Sequence, residues 1–195
     1  MKKTEILLLG DSIRLFYEPR VRDLLGDEFN VSSPMENCKF TSLTLYTLPT
    51  WLSSVPKPDI IHFNNGLWDI AIVHDEDGNF TPLNQYLLNM NRIVRELKKT
   101  GAKLIFATTT PTNPLKRIRQ KPNISIHKNE DITKYNTAVV ELMKSEGVVI
   151  DDLFAVVNSN INRYIRKDDL IHPTEEGIEV LAQAVVKCIL RIKNK

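Results

Sequence analysis

Two short motifs near opposite ends of the chain carry residue types that can cleave an acyl bond. Ser12 follows an apolar run in the segment Gly10-Asp11-Ser12, and Asp169 lies three residues before His172. A serine hydroxyl becomes a useful nucleophile when a base takes its proton and nearby donors accept the developing oxyanion. The neutral imidazole of His172 can serve as that base, and Asp169 can accept from the other ring N–H and fix the tautomer. The two motifs together predict Ser12, His172 and Asp169 as a catalytic site.

Each motif also has a purely structural interpretation. A Gly-Asp-Ser tripeptide often forms a plain turn, and His172, followed by proline and threonine, can pack at a helix start. Two other histidines are weaker candidates, because His62 lies within a predicted strand and His127 within a polar loop. The cluster His74-Asp75-Glu76-Asp77 has the residue types of metal ligands, but a solvated acidic turn explains it better. We therefore predict no metal site.

Short apolar runs alternate with longer segments of helical period, a pattern typical of a parallel sheet covered on both faces. The predicted strands are 5–9, 29–32, 59–64, 103–108 and 148–151, and the predicted helices are 17–25, 41–52, 82–100, 129–146 and 174–192. Gly26, Gly101 and Gly147 follow three of the helical patterns, where glycine commonly ends a helix. No internal repeat or composition break is present, so residues 1–195 are predicted to form a single doubly wound α/β domain.

Composition narrows the classes of partner and the compartment. With 26 basic and 24 acidic residues the formal charge is +2, which favours neither nucleic acid nor a membrane surface as a partner. Cys38 and Cys188 are the only cysteines, too few for a common four-ligand zinc site or a disulfide framework. The apolar stretch 6–9 is too short for a signal-peptide core, and no run approaches the roughly 20 residues of a membrane span. We therefore expect a cytoplasmic protein, with its oligomeric state open.

The predicted loops at the carboxyl ends of the strands collect the polar residues of the chain. Ligands of open parallel sheets bind at this edge, near the point where the strand order reverses. An oxyanion hole there needs N–H donors, and the backbone of Ser12 and of the loop 34–40 can supply them. Asn64 and Asn65 end the third strand, and because strand side chains alternate, one of the two is expected to point into the site.

Gly10-Asp11-Ser12, the segment 64–69 and Asp169 to His172 together resemble the sequence blocks of the GDSL-like or SGNH hydrolase superfamily of esterases and lipases. The resemblance spans nearly the whole chain in the expected order. It implies a flavodoxin-like three-layer α/β/α sandwich with a five-stranded parallel sheet. It also implies Ser12 as nucleophile, His172 as base, Asp169 as the residue that orients it, and no metal or organic cofactor.

Two blocks depart from the usual pattern of this superfamily. The loop Pro34-Met35-Glu36-Asn37-Cys38 lacks the glycine that normally contributes an N–H to the oxyanion hole, and Trp68 stands where the pattern has asparagine. The segment 62–69 is similar to a bacterial subgroup in which an upstream asparagine takes that role. On this similarity Asn64 is the first candidate and Asn65 the second, with Asn37 or Cys38 supplying the backbone N–H.

The expected substrate is a small-molecule ester with a short acyl group, such as acetyl on a carbohydrate, because no broad apolar flap is evident in the sequence. The long loop 109–128 carries Lys116, Arg117, Arg119 and Lys121 beside the predicted site, where they suit an anionic substrate or simply a solvated loop. Arg14 is expected to contact substrate or to pair with an acid such as Asp69. Two alternatives stay open: an acyltransferase using the same serine, and a noncatalytic binding module in which Ser12 holds an anion at a helix N-terminus.

Overall fold

Five parallel strands form one sheet at the centre of the computed structural model, which describes residues 2–73, 78–114 and 126–194. The strands are β1 (Thr4–Leu9), β2 (Phe29–Ser32), β3 (Ile60–Phe63), β4 (Lys103–Ala107) and β5 (Val149–Asp151). Their order across the sheet is β2-β1-β3-β4-β5, and every neighbouring pair is parallel. The direction of winding reverses between β1 and β3, so ligands are expected beyond the carboxyl ends of these two strands.

The helices cover both faces of the sheet and complete a three-layer α/β/α sandwich. They are α1 (Ser12–Leu25), α2 (Thr41–Ser53), α3 (Leu67–Ile70), α4 (Leu83–Lys98), α5 (Asn129–Ser145), α6 (Leu153–Asn158), α7 (Ile161–Tyr164) and α8 (Glu175–Lys193), with a short 3-10 turn over Gly26–Glu28. Helix α1 packs against α8, while α4 packs against α2 and α5. The predicted fold class is therefore confirmed, although the sequence analysis placed the start of α1 five residues too late and missed α3, α6 and α7.

The strands are apolar on both faces because helices cover both. All four residues of β3 are buried, as are the last four of β1 and of β4. His62 is the polar exception in β3, and its Nε2 lies 3.0 Å from Oδ2 of Asp151 on β5. This contact partners a buried ring nitrogen inside the core, where an unpaired polar group is costly. His62 is thus part of the core, as the strand pattern predicted.

None of the described helices is long and apolar enough to cross a membrane. Within the same described ranges, no group of three or more histidine, cysteine or acidic side chains is close enough to hold a metal ion. The acidic segment His74-Asp75-Glu76-Asp77 lies outside the described residues.

Candidate active site

An unbroken series of hydrogen bonds joins Ser12, His172 and Asp169. The Ser12 Oγ lies 2.9 Å from Nε2 of His172, and Nδ1 of the same ring lies 2.9 Å from Oδ2 of Asp169. The serine is the first residue of α1, whereas the other two residues belong to the segment between α7 and α8. Residues 160 positions apart in sequence therefore meet at the carboxyl edge of the sheet, in the geometry that lets an imidazole accept a serine proton.

The Asp169 carboxylate has two tasks. Its Oδ2 faces the His172 ring, while its Oδ1 accepts from the backbone N–H groups of Ile171 at 2.8 Å and His172 at 2.9 Å. These bonds hold a tight turn in which Leu170 adopts a left-handed φ of 65°. Partial burial tends to raise the pKa of Asp169, but the backbone and ring hydrogen bonds outweigh it and leave the pKa below its ordinary value. The carboxylate is therefore ionised wherever the imidazole needs orientation.

Ser12 also offers a backbone donor for an oxyanion. Asp11 caps α1 by accepting from the Ile13 N–H at 3.0 Å, which leaves the Ser12 N–H at the first position of the helix without an intrahelical partner. The helix dipole adds positive potential at this end. The N–H and the hydroxyl of Ser12 thus lie together at a point that favours negative charge.

The loop after β2 places Asn37, and not Cys38, where a donor is available. The Cys38 N–H donates to the Gly10 carbonyl at 3.1 Å, so the backbone donor predicted for Cys38 already has a partner. The side-chain oxygen of Asn37 accepts from the Lys39 N–H at 2.8 Å. None of the described residues accepts a hydrogen bond from the backbone or side-chain N–H groups of Asn37, which lines the same pocket as Ser12.

The two asparagines that follow β3 have structural partners. Asn65 is buried, and its amide donates to the Lys39 carbonyl at 3.0 Å and to the Thr44 hydroxyl at 2.8 Å. Asn64 donates to the Ala107 carbonyl at 2.8 Å, with the Thr109 hydroxyl at 3.5 Å. The structure therefore gives Asn65 a role in anchoring the loop after β2 and does not support it as an oxyanion donor. Asn64 remains a prediction, with one of its amide hydrogens used to join β3 to β4.

Gly66 allows α3 to begin close to the loop after β4. A Cβ atom at this position would lie 2.1 Å from Oγ1 of Thr109, too close for any side chain without movement of the threonine. The sequence analysis assigned Gly66 to a sharp turn, and the close approach of Thr109 is the physical reason for a glycine there.

Arg14 is buried behind the nucleophile and contacts neither a pocket nor Asp69 in the manner that the sequence suggested. Its guanidinium pairs with the Glu18 carboxylate one turn along α1 and donates to the Glu36 carbonyl at 2.9 Å. Because Glu36 directly precedes Asn37, this contact fixes the backbone of the loop relative to the nucleophile helix. Arg14 is therefore a positioning residue for the loop, and the expected pairing with Asp69 is wrong.

Asp69 instead holds the beginning of α2. Its two carboxylate oxygens lie 3.1 and 3.0 Å from the Thr41 N–H, and Oδ1 accepts from the Thr41 hydroxyl at 2.6 Å. Burial raises the pKa of Asp69 to about 6, against the opposing effect of the Thr41 and Thr81 hydrogen bonds. The side chain is completely buried, so its charge has no access to water.

Asp69→Asn is expected to remove a pH dependence of stability. The pKa of Asp69 is about 6 in the folded state against 3.8 in the unfolded chain, so the folded state binds the extra proton between these values. This stabilisation is complete below pH 3.8 and is lost as the pH rises through 6, by on the order of 2 kcal/mol. Urea unfolding at pH 4.5 and 7 should show wild type losing more stability than Asp69→Asn, whereas an equal loss in both proteins contradicts the assignment.

A pocket of about 480 Å³ opens beside Ser12 and His172, and its walls are mostly apolar. Polar side chains come from Ser12, Asn37, His127 and His172, and apolar ones from Phe40, Leu67, Trp68, Ala71, Val73, Phe80 and Ile171. The absence of a broad apolar surface expected from the sequence is therefore a wrong prediction. The apolar residues lie in loops and in the four-residue α3, where no helical or strand period marks them.

The segments at the mouth of this pocket are only partly described. Ile72 and Ile126 form an antiparallel bridge, and Nε2 of His127 lies 3.0 Å from the Leu67 carbonyl. His127, a weak candidate from sequence, thus contributes to the pocket wall. The basic residues Lys116, Arg117, Arg119 and Lys121 lie outside the described residues.

Solved structures of esterases and acylhydrolases have this same fold. An acetyl xylan esterase, AlAXEase, superposes with a TM-score of 0.72 at 16% identity, covering 95% of this chain and 99% of the other. A lipase/acylhydrolase from Enterococcus faecalis gives 0.74 at 17% identity, covering 95% of each chain. A GDSL-like lipase from Bacteroides thetaiotaomicron gives 0.68 at 14% identity, covering 97% of this chain and 89% of the other.

No family model and no curated protein matches the chain. The likeness is therefore one of fold, along nearly the full length of the chain, to the GDSL-like and SGNH hydrolases. This outcome confirms the fold that the sequence blocks around Ser12, Asn64 and His172 predicted.

Proposed function

We propose that this chain is a serine esterase that cleaves a small acyl ester through a covalent acyl-enzyme. The observation that supports it best is the series of two 2.9 Å contacts from Ser12 through His172 to Asp169. Each member of the series has the chemistry that acyl transfer requires: a nucleophile, a base, and a carboxylate that fixes the tautomer of the base.

Acylation begins when Ser12 Oγ attacks the ester carbonyl carbon and its proton passes to His172 Nε2. The negative charge that develops on the carbonyl oxygen is stabilised by the N–H groups of Ser12 and Asn37, with Asn64 as the alternative second donor. The bond to the alcohol oxygen then breaks, and the imidazolium returns the proton to that oxygen. Asp169 stabilises the imidazolium while it exists.

Deacylation repeats these steps with water as the nucleophile. His172 takes a proton from water as the water oxygen attacks the acyl carbon, and returns a proton to Ser12 Oγ when the acyl–serine bond breaks. The products are a carboxylic acid and the free enzyme. A sugar hydroxyl in place of water would give acyl transfer by the same atoms, so the two reactions differ only in the acceptor.

The substrate class proposed from the sequence is a short acyl ester on a small molecule, with acylated carbohydrate as one candidate. The fold shared with an acetyl xylan esterase supports testing acetylated sugars, although that activity belongs to the neighbour. The described part of the pocket contains no lysine, arginine or carboxylate side chain, which favours an uncharged ester.

A fluorophosphonate probe tests whether Ser12 is an activated nucleophile. We expect stoichiometric labelling of the folded wild type, with the adduct on Ser12 located by peptide mass spectrometry. The phosphorus–fluorine bond breaks only if the serine oxygen loses its proton to a base, so an anion-binding serine does not react. Ser42→Ala, which removes another serine near the same sheet edge, should label as wild type does.

A folded wild-type protein that resists the probe, or one labelled at a different serine, contradicts the proposed function. The first outcome favours a noncatalytic binding module, in which Ser12 only donates hydrogen bonds at the start of α1.

A further inference from the structure

Building on the proposed function, we propose that the pocket beside Ser12 binds an apolar acyl group of about four to eight carbons and disfavours acetyl. Its described walls come chiefly from Phe40, Leu67, Trp68, Ala71, Phe80 and Ile171. Burial of methylene groups against such walls is favourable, whereas a hydroxyl-rich sugar would leave its polar groups unpaired there.

The size of the pocket sets the length of the acyl group. A methylene group is similar in size to a water molecule, which occupies about 30 Å³ in the liquid. By that measure an acetyl group fills on the order of 60 Å³ and an octanoyl group on the order of 240 Å³. In a pocket of about 480 Å³, acetyl leaves most of the apolar wall in contact with water, and the longer group covers it.

The position of the walls assigns the pocket to the acyl side of the ester. His172 must protonate the leaving alcohol, so the alcohol lies next to the segment that carries this histidine. Of the six apolar wall residues, only Ile171 belongs to that segment. The others lie in segments that follow β2 and β3, on the side of Asn37, where the carbonyl oxygen is expected.

Two aromatic contacts keep the walls in place while leaving them accessible. The Phe40 and Phe80 rings are 5.0 Å apart, and the Lys39 ammonium lies 5.5 Å from the centre of the Trp68 ring. Trp68 remains 39% exposed and Phe80 51% exposed, so both have surface for a substrate to cover. Val73, at 40% exposure, extends the same apolar surface.

The test is a series of p-nitrophenyl esters with one leaving group and an increasing acyl chain: acetate, butanoate, hexanoate and octanoate. Each buried methylene can raise kcat/KM by up to about fourfold, so hexanoate should exceed acetate by at least about tenfold. Trp68→Ala and Phe80→Ala should each lower this hexanoate-to-acetate ratio severalfold, because each removes part of the wall. Leu88→Ala removes an exposed apolar residue of α4 outside the pocket and should leave the ratio unchanged.

A second series keeps the acetyl group and lengthens the alcohol from ethyl to hexyl. If kcat/KM rises more steeply with the alcohol than with the acyl group, the pocket belongs to the leaving group and the acyl assignment is overturned. If acetate is hydrolysed as well as hexanoate and the rate depends on Ser12, the inference is wrong while the proposed function stands. If no ester is hydrolysed above the Ser12→Ala background, both are wrong.

Discussion

Ser12→Ala is expected to lower kcat/KM for p-nitrophenyl esters by on the order of 10⁴-fold or more. The loss should be this large because the serine oxygen forms the bond to the acyl carbon, and no other described hydroxyl lies against Nε2 of His172. The fold should be unaffected, since Ser12 occupies the first position of α1 and alanine is well tolerated in a helix. Steady-state kinetics and thermal unfolding of the same preparations measure both effects.

Ser53→Ala is the matched control for this substitution. Ser53 is exposed at the end of α2, and its hydroxyl contacts only the Thr50 carbonyl one turn earlier. Both variants lose one oxygen atom, so a decrease in rate confined to Ser12→Ala reports nucleophilic chemistry. Should the Ser12 variant keep more than a hundredth of the wild-type rate while folded, the hydrolysis would proceed through water activated elsewhere.

The catalytic series was within reach of sequence reasoning because it rests on residue types with few other uses. A serine after a buried strand and a histidine next to an aspartate are each ambiguous, but parallel-strand topology brings the loops that carry them to one edge. The hydrogen bonds of 2.9 Å at His172 are what that reasoning leads one to expect. The role of Asp169 in building its own turn was hidden, because backbone hydrogen bonds leave no mark in residue order.

The donors and the pocket were harder to predict, for two physical reasons. Which N–H groups are available depends on what the rest of the backbone has already paired, and Cys38 loses its N–H to the Gly10 carbonyl across 28 residues. The apolar walls come from irregular segments such as the one around Phe80, where the chain has no period to indicate which way a side chain points. Arg14 was misassigned because Glu18, its partner one turn along α1, looked like an ordinary solvent-exposed residue.

The loop after β2 shows how the chain manages without the glycine of the usual block. Arg14 holds the Glu36 carbonyl, the Trp51 indole N–H donates to the Glu36 carboxylate at 2.6 Å, and Cys38 is tied to Gly10. These contacts come from α1, α2 and β1, so the loop is fixed from three sides. A residue with a side chain can therefore stand at position 37, provided that its neighbours restrain the backbone as strongly as these contacts do.

Asp169→Asn is expected to lower kcat/KM by about 10⁴-fold while leaving the fold intact. The asparagine oxygen can still accept from the Ile171 and His172 N–H groups, so the turn is retained. Its amide nitrogen, however, then faces Nδ1 of His172 and donates to it, which places the ring proton on Nε2, opposite Ser12 Oγ. A ring in that tautomer cannot accept the serine proton.

Asp169→Ala separates orientation of the ring from support of the turn. It removes both the ring partner and the acceptor of two backbone bonds, so its melting temperature should fall below that of Asp169→Asn by several degrees. With no amide to hold the wrong tautomer, its residual activity should nevertheless equal or exceed that of the asparagine variant. Asp168→Asn, an exposed neighbour, is the control for charge and should change neither quantity appreciably. Near-normal activity in a folded Asp169→Asn would show that His172 takes its tautomer from another group, and the contact at Nδ1 would then be structural.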